Sequence, residues 1–215
     1  MPDLTPITKD IKVAVHIITE GRVVAVPTGT SYGLAADALQ GNALQRVRNL
    51  KHRPDEKTFT VFLKQSLWEE FFDITNEEIQ FLQKYDGQAL TLILTPKDSL
   101  AHIAQDGRVG LRVIDHPLMA SLAEAVEVPL TATSANVSGQ EACYDTTCVT
   151  TTFPGLLDPT DTRHGDIKRA GKTTYDLSLG CILDGGNLQP GRQSTIIRLE
   201  ESIPIVIREG SLKLQ

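Results

Sequence analysis

The sequence lacks the two glycine-rich motifs that most often bind nucleotide phosphates. It contains no Gly-x4-Gly-Lys-Ser/Thr loop, and no Gly-x-Gly-x-x-Gly follows a predicted strand. Both motifs present backbone N–H groups and a helix N-terminus to an anion. A phosphate site in this chain must therefore be built from side chains.

Cysteine is scarce, and the charge balance is acidic. The three cysteines, Cys143, Cys148 and Cys181, form no Cys-x-x-Cys pair, which argues against a disulfide framework and against a zinc site. We therefore expect reduced, mostly structural thiols. The net charge of −6, from 21 Lys plus Arg and 27 Asp plus Glu, implies no global attraction to nucleic acid and leaves room only for a local basic groove.

Long apolar runs and targeting signals are also missing. The N-terminal residues mix acids and bases with short apolar runs, so they match neither a secretory signal nor a membrane span. We expect a cytoplasmic protein without a membrane segment. With 215 residues the chain can bury a full core, and we interpret residues 1–215 as one domain.

No covalent catalyst identifies itself. Gly-x-Ser-x-Gly is absent, and the five histidines are isolated from one another, which disfavours a hydrolase and gives no set of metal ligands. A reaction whose nucleophile is already reactive needs only orientation and charge neutralisation. The side chains described next are suited to both tasks.

What the sequence does contain is centred on residues 23–57. Residues 23–26 are an apolar run stopped by Pro27, which predicts a buried strand. Residues 28–32 then place hydroxyl groups and a glycine at the strand's exit, where open α/β sheets usually bind ligands. Apolar residues at helical spacing predict a helix over 41–50.

A cationic cluster follows that helix. Lys51, Arg53 and Lys57 surround Pro54, which discourages continued helix, so we expect a loop to present the three cations. A solvated surface turn is the plain alternative. A second hydroxyl-rich turn, residues 131–139, follows a strand-like run at 128–130 and would face the first turn across a groove.

The rest of the chain alternates between predicted helices and strands, which indicates an α/β fold. Helices are predicted within 7–20 and at 67–72, 76–84 and 117–127, and strands at 59–63, 89–94, 109–113, 180–183, 194–199 and 203–207. We interpret Trp68, Phe71 and Phe72 as core residues rather than a base-stacking platform.

Two features leave alternatives open. Arg112 is a charged residue within an apolar strand, so it is either a ligand clamp or half of an ion pair, for example with Asp115. Residues 140–175 are poor in core residues. Their basic cluster forms either a lid or RNA-contacting loop, or a plain solvated loop. Its members are Arg163, His164, Lys168, Arg169 and Lys172.

The two turns together resemble the threonylcarbamoyl-AMP synthase family, also called YrdC-like, which includes YciO-type paralogues. The resemblance rests on Lys51-x-Arg53 followed later by Ser134-x-Asn136, and it extends over residues 23–210. It implies an open, twisted α/β sheet of mixed parallel and antiparallel strands with a concave ligand-binding face.

The resemblance also implies an activity. Enzymes of this family are nucleotidyltransferases that condense L-threonine, bicarbonate or CO2, and ATP into threonylcarbamoyl-adenylate and pyrophosphate. Other proteins then transfer the threonylcarbamoyl group to the adenosine next to the tRNA anticodon. Mg²⁺ on the phosphates is implied by the chemistry, although no carboxylate identifies itself as a metal ligand.

Roles for individual residues follow from the same resemblance. Lys51 and Arg53 are the expected catalytic residues. The ATP-binding set is Lys51, Arg53, Lys57, Ser134, Asn136 and Arg208. Threonine would contact Thr28 or Thr30, with Arg112 on its carboxylate and Ser194 beside it.

Three departures from the family pattern motivate a second hypothesis. Gly29 stands where the first turn usually carries an acid, residues 86–91 lack the usual prolines and tryptophan, and Glu209 replaces a common proline. The alternative is a YciO-like paralogue that binds nucleotide or RNA, such as tRNA or double-stranded RNA, with little synthase activity. A carbamoyl-transfer module of a larger assembly is a third hypothesis.

Overall fold

The computed structural model describes residues 7–54, 58–153 and 179–214, and these residues form a mixed α/β fold. The strands are β1 (Ile7–Thr8), β2 (Val23–Pro27), β3 (Tyr32–Ala35), β4 (Thr60–Phe62), β5 (Phe72–Asp73), β6 (Leu90–Pro96), β7 (Val109–Arg112), β8 (Leu130–Thr131), β9 (Thr133–Ser134), β10 (Leu179–Leu183), β11 (Thr195–Glu200) and β12 (Ile203–Arg208). The helices are α1 (Ile11–Thr19), α2 (Gly41–Lys51), α3 (Trp68–Phe71), α4 (Asn76–Lys84), α5 (Pro117–Ala125) and α6 (Thr146–Thr152). Lys57 and the basic cluster at 163–172 lie outside the described residues.

The helix α2 carries the chain away from the first hydroxyl turn. Its apolar residues at helical spacing are buried, as the sequence predicts, and they pack into the main core. The helix ends at His52, which adopts a left-handed conformation with φ of 49°. Backbone bonds from His52 N–H to Asn49 and from Arg53 N–H to Arg48 close the last turn.

The strands form two mixed sheets. In the first, of order β1-β10-β2-β3-β9, the first three strands pair in parallel, and the remaining pairs are antiparallel. The second has the order β12-β11-β6-β7-β4-β8, and β5 pairs with β6. Only Ala132 separates β8 from β9, so the chain passes there directly from one sheet to the other. The expected fold class is confirmed.

Two hydrophobic clusters hold the sheets and helices together. The larger lies around α2, α3 and the second sheet, and it includes Trp68, Phe71 and Phe72, as the sequence predicts. The smaller packs α1 and α5 against the first sheet. No helix among the described residues is long and apolar enough to cross a membrane.

The region after residue 140 departs from expectation. Asp145 caps the short helix α6 by accepting the N–H of Cys148 at 2.7 Å, although no element was predicted there. Cys143 and Cys148 form a disulfide, so the expectation of three reduced thiols is wrong for this pair. Cys181 is free and buried in β10. The absence of Cys-x-x-Cys spacing does not prevent a loop and a helix from bringing two cysteines together.

Candidate functional site

A cavity of about 250 Å³ lies between the two sheets. Strands of both sheets contribute to it, and its lining includes three arginines, nine serines or threonines and no acidic residue among the described residues. The arginines are Arg53, Arg112 and Arg208, and the hydroxyl residues are Thr28, Thr30, Ser31, Thr60, Thr91, Thr131, Thr133, Ser134 and Ser194. Such a surface is suited to an anion held by charge-assisted hydrogen bonds.

The first hydroxyl turn forms one wall of this cavity. Thr28 Oγ1 donates to the carbonyl of Ser31 at 2.8 Å and accepts the N–H groups of Thr30 and Ser31. Thr28 Oγ1 also lies 3.2 Å from Thr30 Oγ1. A threonine that bonds to its own turn in this way fixes the backbone between β2 and β3. The two threonines predicted to contact substrate are therefore held together in the cavity wall.

Arg112 is both an ion-pair partner and a cavity residue. Its Nη2 lies 2.5 Å from Asp115 Oδ2, and it donates to Thr30 Oγ1 at 3.3 Å. The other carboxylate oxygen of Asp115 accepts the N–H of Gly29 at 2.9 Å. The two alternatives for Arg112 are thus compatible, because the ion pair leaves the guanidinium lining the cavity.

Arg208 reaches the cavity from the end of β12. It donates to the carbonyl of Ser194 at 2.8 Å, to Ser194 Oγ at 3.2 Å and to Gln193 Oε1 at 2.6 Å. Ser194 Oγ in turn lies 3.0 Å from Thr91 Oγ1 on β6. Burial lowers the pKa of Arg208, and the charge of Arg112 lowers it further. The two guanidinium groups therefore act on one small volume.

Lys51 is not presented from a loop, contrary to the sequence-based expectation. It is the last residue of α2, with only 2 % of its surface exposed. Its Nζ donates to Asn136 Oδ1 at 2.9 Å, to the carbonyl of Asn136 at 3.0 Å and to the carbonyl of Ser134. Ser134 Oγ donates to Asn136 Oδ1 at 2.6 Å. Lys51 of the Lys-x-Arg pair thus meets both residues of the Ser-x-Asn pair in a single hydrogen-bond network.

Arg53 lies on the cavity side of that network. Its Nη2 donates to the carbonyl of Thr58, and its Cζ lies 5.4 Å from the centre of the buried Phe59 ring. Burial lowers the pKa of Arg53, with a further contribution from Arg48. A guanidinium group keeps its proton in folded proteins, so Arg53 still carries a positive charge. Its Nε is buried and has no hydrogen-bond partner among the described residues.

Two cavity residues within strands were not predicted from the sequence. Thr60 and Thr91 lie in otherwise apolar strands, and Thr91 is only 1 % exposed. A hydroxyl group within a buried strand needs a polar partner or a ligand, so both positions carried a usable signal. Gln193, which lines the cavity, and Phe59, which packs against Arg53, carried no such signal, because their contacts with Arg208 and Arg53 depend on the tertiary fold.

The described residues do not form a metal site of their own. No group of three histidine, cysteine, aspartate or glutamate side chains converges among them, and Asp115, which contacts the cavity residue Arg112, is occupied by that ion pair. Mg²⁺ prefers oxygen ligands and keeps several of its waters. The side chains present here are donors for anions rather than ligands for a cation.

Comparison with known proteins places this arrangement in a family. A model of the Sua5/YciO/YrdC family, described as "Telomere recombination", matches residues 16–210. The chain belongs to the Sua5/YciO/YrdC family. The resemblance drawn from the Lys51 and Ser134 motifs is thereby confirmed.

Two relatives define the range of this family around the chain. A threonylcarbamoyl-AMP synthase from Pyrococcus abyssi is 31 % identical over 209 residues, which are 95 % of this chain and 55 % of that protein. YciO from Escherichia coli is 27 % identical over 213 residues, covering 97 % of this chain and 92 % of YciO. The chain therefore spans about half the length of the Pyrococcus relative and nearly all of YciO.

Solved structures of the same family superpose well on the fold. The crystal structure of P. abyssi Sua5 with L-threonine matches with a TM-score of 0.75 at 30 % identity, covering 94 % of this chain and 54 % of the Sua5 chain. The crystal structure of E. coli YciO matches with a TM-score of 0.74 at 23 % identity. The likeness to YciO supports the fold, and the likeness to Sua5 also links the fold to a protein that binds threonine.

Proposed function

We propose that this protein is a threonylcarbamoyl-AMP synthase, a nucleotidyltransferase that makes threonylcarbamoyl-adenylate and pyrophosphate from L-threonine, bicarbonate or CO2, and ATP. The observation that carries the proposal is a cavity that the described residues line with three arginines, many hydroxyl groups and no acid, and that adjoins the Lys51–Ser134–Asn136 network. Relatives named threonylcarbamoyl-AMP synthase and the threonine-bound Sua5 structure support it.

Different arginines of the cavity would bind the two substrates. Arg53 and Arg208, which both line the cavity, would bind the phosphates of ATP, since guanidinium groups match phosphate oxygens in a bidentate manner. Arg112 would bind the carboxylate of threonine, with Thr30, which accepts a hydrogen bond from it, and the cavity residue Ser194 as hydroxyl partners. A second, more open cavity of about 600 Å³ shares Arg208 and Thr30 with the first and offers room for the nucleoside.

The chemistry follows from this arrangement. The neutral amine of threonine combines with CO2 to form a carbamate anion and releases one proton to water, and a carbamate oxygen then attacks the α-phosphorus. The bond from that phosphorus to the oxygen of the β-phosphate breaks, and pyrophosphate leaves with the electron pair. Arginines on the phosphates stabilise the charge that develops on pyrophosphate. No general base is needed at this step because the carbamate is already anionic.

Lys51 has a different role from the arginines. Its ammonium group is bonded to two carbonyls and an amide oxygen, so it fixes the turn that presents Ser134 to the cavity. Ser134 lines the cavity, whereas Lys51 and Asn136 lie behind it. We assign ATP contact to Arg53, Ser134 and Arg208, and we assign support of that contact to Lys51 and Asn136. Mg²⁺ would arrive on the phosphates as part of the nucleotide, because the part of the chain that the structure describes offers no ligand set for it.

Product formation with and without threonine tests the proposal. Purified protein with ATP, Mg²⁺ and bicarbonate should release pyrophosphate and form the adenylate only when L-threonine is present. Arg53→Ala should lose this activity, while Arg198→Ala, which removes an exposed arginine of β11, should keep it. Threonine-independent release of pyrophosphate, or an active Arg53→Ala chain, would refute the assignment.

A nucleotide- or RNA-binding role like that suggested for YciO-type paralogues is the second candidate. It is favoured by the match to nearly the full length of YciO and by Gly29 in the first turn. It predicts binding of tRNA or double-stranded RNA that weakens steeply with salt and shows no threonine dependence. Under the synthase proposal, by contrast, other cytoplasmic proteins would transfer the threonylcarbamoyl group to tRNA.

A further inference from the structure

Asp115 lies beside the cavity but does not line it, and its carboxylate joins two parts of the cavity wall. The side chain is only 2 % exposed. Oδ2 accepts from Arg112 Nη2 at 2.5 Å, and Oδ1 accepts the N–H of Gly29 at 2.9 Å. One carboxylate therefore links β7 to the first hydroxyl turn, whose residues are 86 positions away in sequence.

This arrangement is possible only because residue 29 has no side chain. A Cβ atom at that position would lie 2.7 Å from Asp115 Oδ2 and 2.8 Å from its Cγ, well inside van der Waals contact. The φ angle of Gly29 is not in the left-handed region. Space for the carboxylate, rather than backbone freedom, is thus what requires glycine.

The Asp115 carboxylate also offsets the repulsion between two arginines of the cavity. Arg112 and Arg208 line the same cavity, and the charge of Arg112 lowers the pKa of Arg208. Two like charges in one small volume repel each other. A nearby opposite charge offsets this repulsion and holds one of the two groups in place. Asp115 provides that charge from behind the wall, and Arg112 Nε remains buried without a hydrogen-bond partner among the described residues.

We propose that Asp115 is a positioning residue that directs Arg112 into the cavity, and that Gly29 is required because any side chain there would displace the Asp115 carboxylate. The proposal rests on the proposed function in one respect, namely that Arg112 binds the carboxylate of threonine. Gly29 is then the partner of an acid supplied by another segment, and its presence in the first turn does not imply a disabled site.

A stability cycle tests the geometry without reference to activity. Gly29→Ala should lower Tm by about 5 °C, because the added methyl group must displace the carboxylate. Asp115→Ala should also lower Tm, since Arg112 loses its partner. The double variant should be almost as stable as Asp115→Ala alone, because both contacts shorter than 3 Å are gone and only the carbonyl oxygen of residue 115, 3.1 Å from the added Cβ, remains close. Additive losses would overturn the assigned role of Gly29.

A kinetic comparison tests the positioning of Arg112. Asp115→Asn keeps an acceptor for the Gly29 N–H and removes the charge, so KM for L-threonine should rise about tenfold while KM for ATP stays the same. Glu124→Gln removes one exposed acid from α5, the helix that follows Asp115, and should change neither value.

The kinetic outcomes separate this proposal from the proposed function. Unchanged KM values in Asp115→Asn, or equal increases for both substrates, would overturn the positioning role. A wild-type chain with no threonine-dependent turnover would instead refute the proposed function together with the substrate role of Arg112. The stability cycle would then still decide whether Gly29 and Asp115 depend on each other.

Discussion

The ammonium group of Lys51 lies 2.9 Å from Oδ1 of Asn136 and 3.0 Å from its carbonyl oxygen, and all three atoms are buried. Lys51 ends the helix α2, and Asn136 follows the strand β9, so this contact joins the two halves of the sequence motif. The backbone repeats the connection, because Ser138 N–H donates to the carbonyl of Lys51 at 2.8 Å. A residue expected to be presented from a loop thus lies inside the fold at the end of α2, bonded to the turn that carries Ser134.

Replacing Lys51 should therefore destabilise the protein as well as reduce its activity. Lys51→Met keeps the length of the side chain but removes one donor from each of its three acceptors, and the buried carbonyl of Asn136 then has no other hydrogen-bond donor among the described residues. A buried polar group left unsatisfied in this way costs about 1 to 3 kcal/mol. Urea unfolding should show this loss, and Lys12→Met, at an exposed position of α1, should show almost none. An unchanged unfolding free energy in Lys51→Met would contradict the supporting role.

Helices with a clear local sequence pattern were predicted correctly. Helical spacing of apolar residues located α2 and α4, and the capping box of Thr75 and Glu78 fixes the start of α4. The helix α6 was not predicted, because its threonines and valine have low helix propensity and the capping residue Asp145 is its main local signal.

Within the candidate site, too, local patterns were predicted and contacts between distant segments were not. The turns and the Lys-x-Arg and Ser-x-Asn pairs are short, contiguous patterns that can be read directly. The burial of Lys51 and the contact between Gly29 and Asp115 depend on segments about 85 residues apart. Periodicity predicts the element on which a residue lies, but not which distant group faces it.

Phe59 should control nucleotide binding through Arg53. Its ring is 1 % exposed and lies 5.4 Å from Cζ of Arg53 and 4.7 Å from Cζ of Arg48. A cation–π contact of this kind contributes about 0.5 to 2 kcal/mol, so Phe59→Leu should raise KM for ATP by roughly twofold to thirtyfold. KM for threonine should stay constant, because Arg112 does not contact this ring.

The matched control for Phe59 is another buried aromatic residue of the same cluster. Phe71→Leu should destabilise the core to a similar degree without changing KM for ATP, since no arginine of the cavity contacts that ring. Equal effects of the two substitutions on KM would show that general loosening of the core, rather than the orientation of Arg53, is responsible.

The disulfide between Cys143 and Cys148 should be detectable and modestly stabilising. Cys143 accepts the N–H of Tyr32 and donates its own to Ala135, so the bond anchors α6 beside both hydroxyl turns. For a separation of five residues, loop-closure entropy gives about 2 kcal/mol. Cys148→Ser should lose that amount in denaturant unfolding, and reductant should have no further effect on the variant.

Thiol counting gives an independent measure of the same bond. The sequence has three cysteines, so alkylation of the denatured, unreduced protein should modify one thiol, and alkylation after reduction should modify three. Modification of all three thiols before reduction would show that the disulfide does not form in solution.

Cys181 should make the protein less stable at alkaline pH. Burial raises the pKa of this thiol to about 12, and the charge of Arg22 offsets only part of the effect. Because the pKa is higher in the folded chain than in the unfolded one, the contribution of Cys181 is fully present below about pH 9 and is lost as pH rises toward 12. At pH 10 the loss should be about 1.4 kcal/mol.

Comparison with Cys181→Ala isolates this effect. The variant lacks the titrating thiol, so the difference in unfolding free energy between wild type and variant should shrink by about 1.4 kcal/mol between pH 8 and pH 10. The raised pKa of Tyr32, caused mainly by burial, affects both chains equally and cancels in this difference. A difference that stays constant over this range would mean that Cys181 ionises as easily in the folded chain as in the unfolded one, which its burial in β10 should prevent.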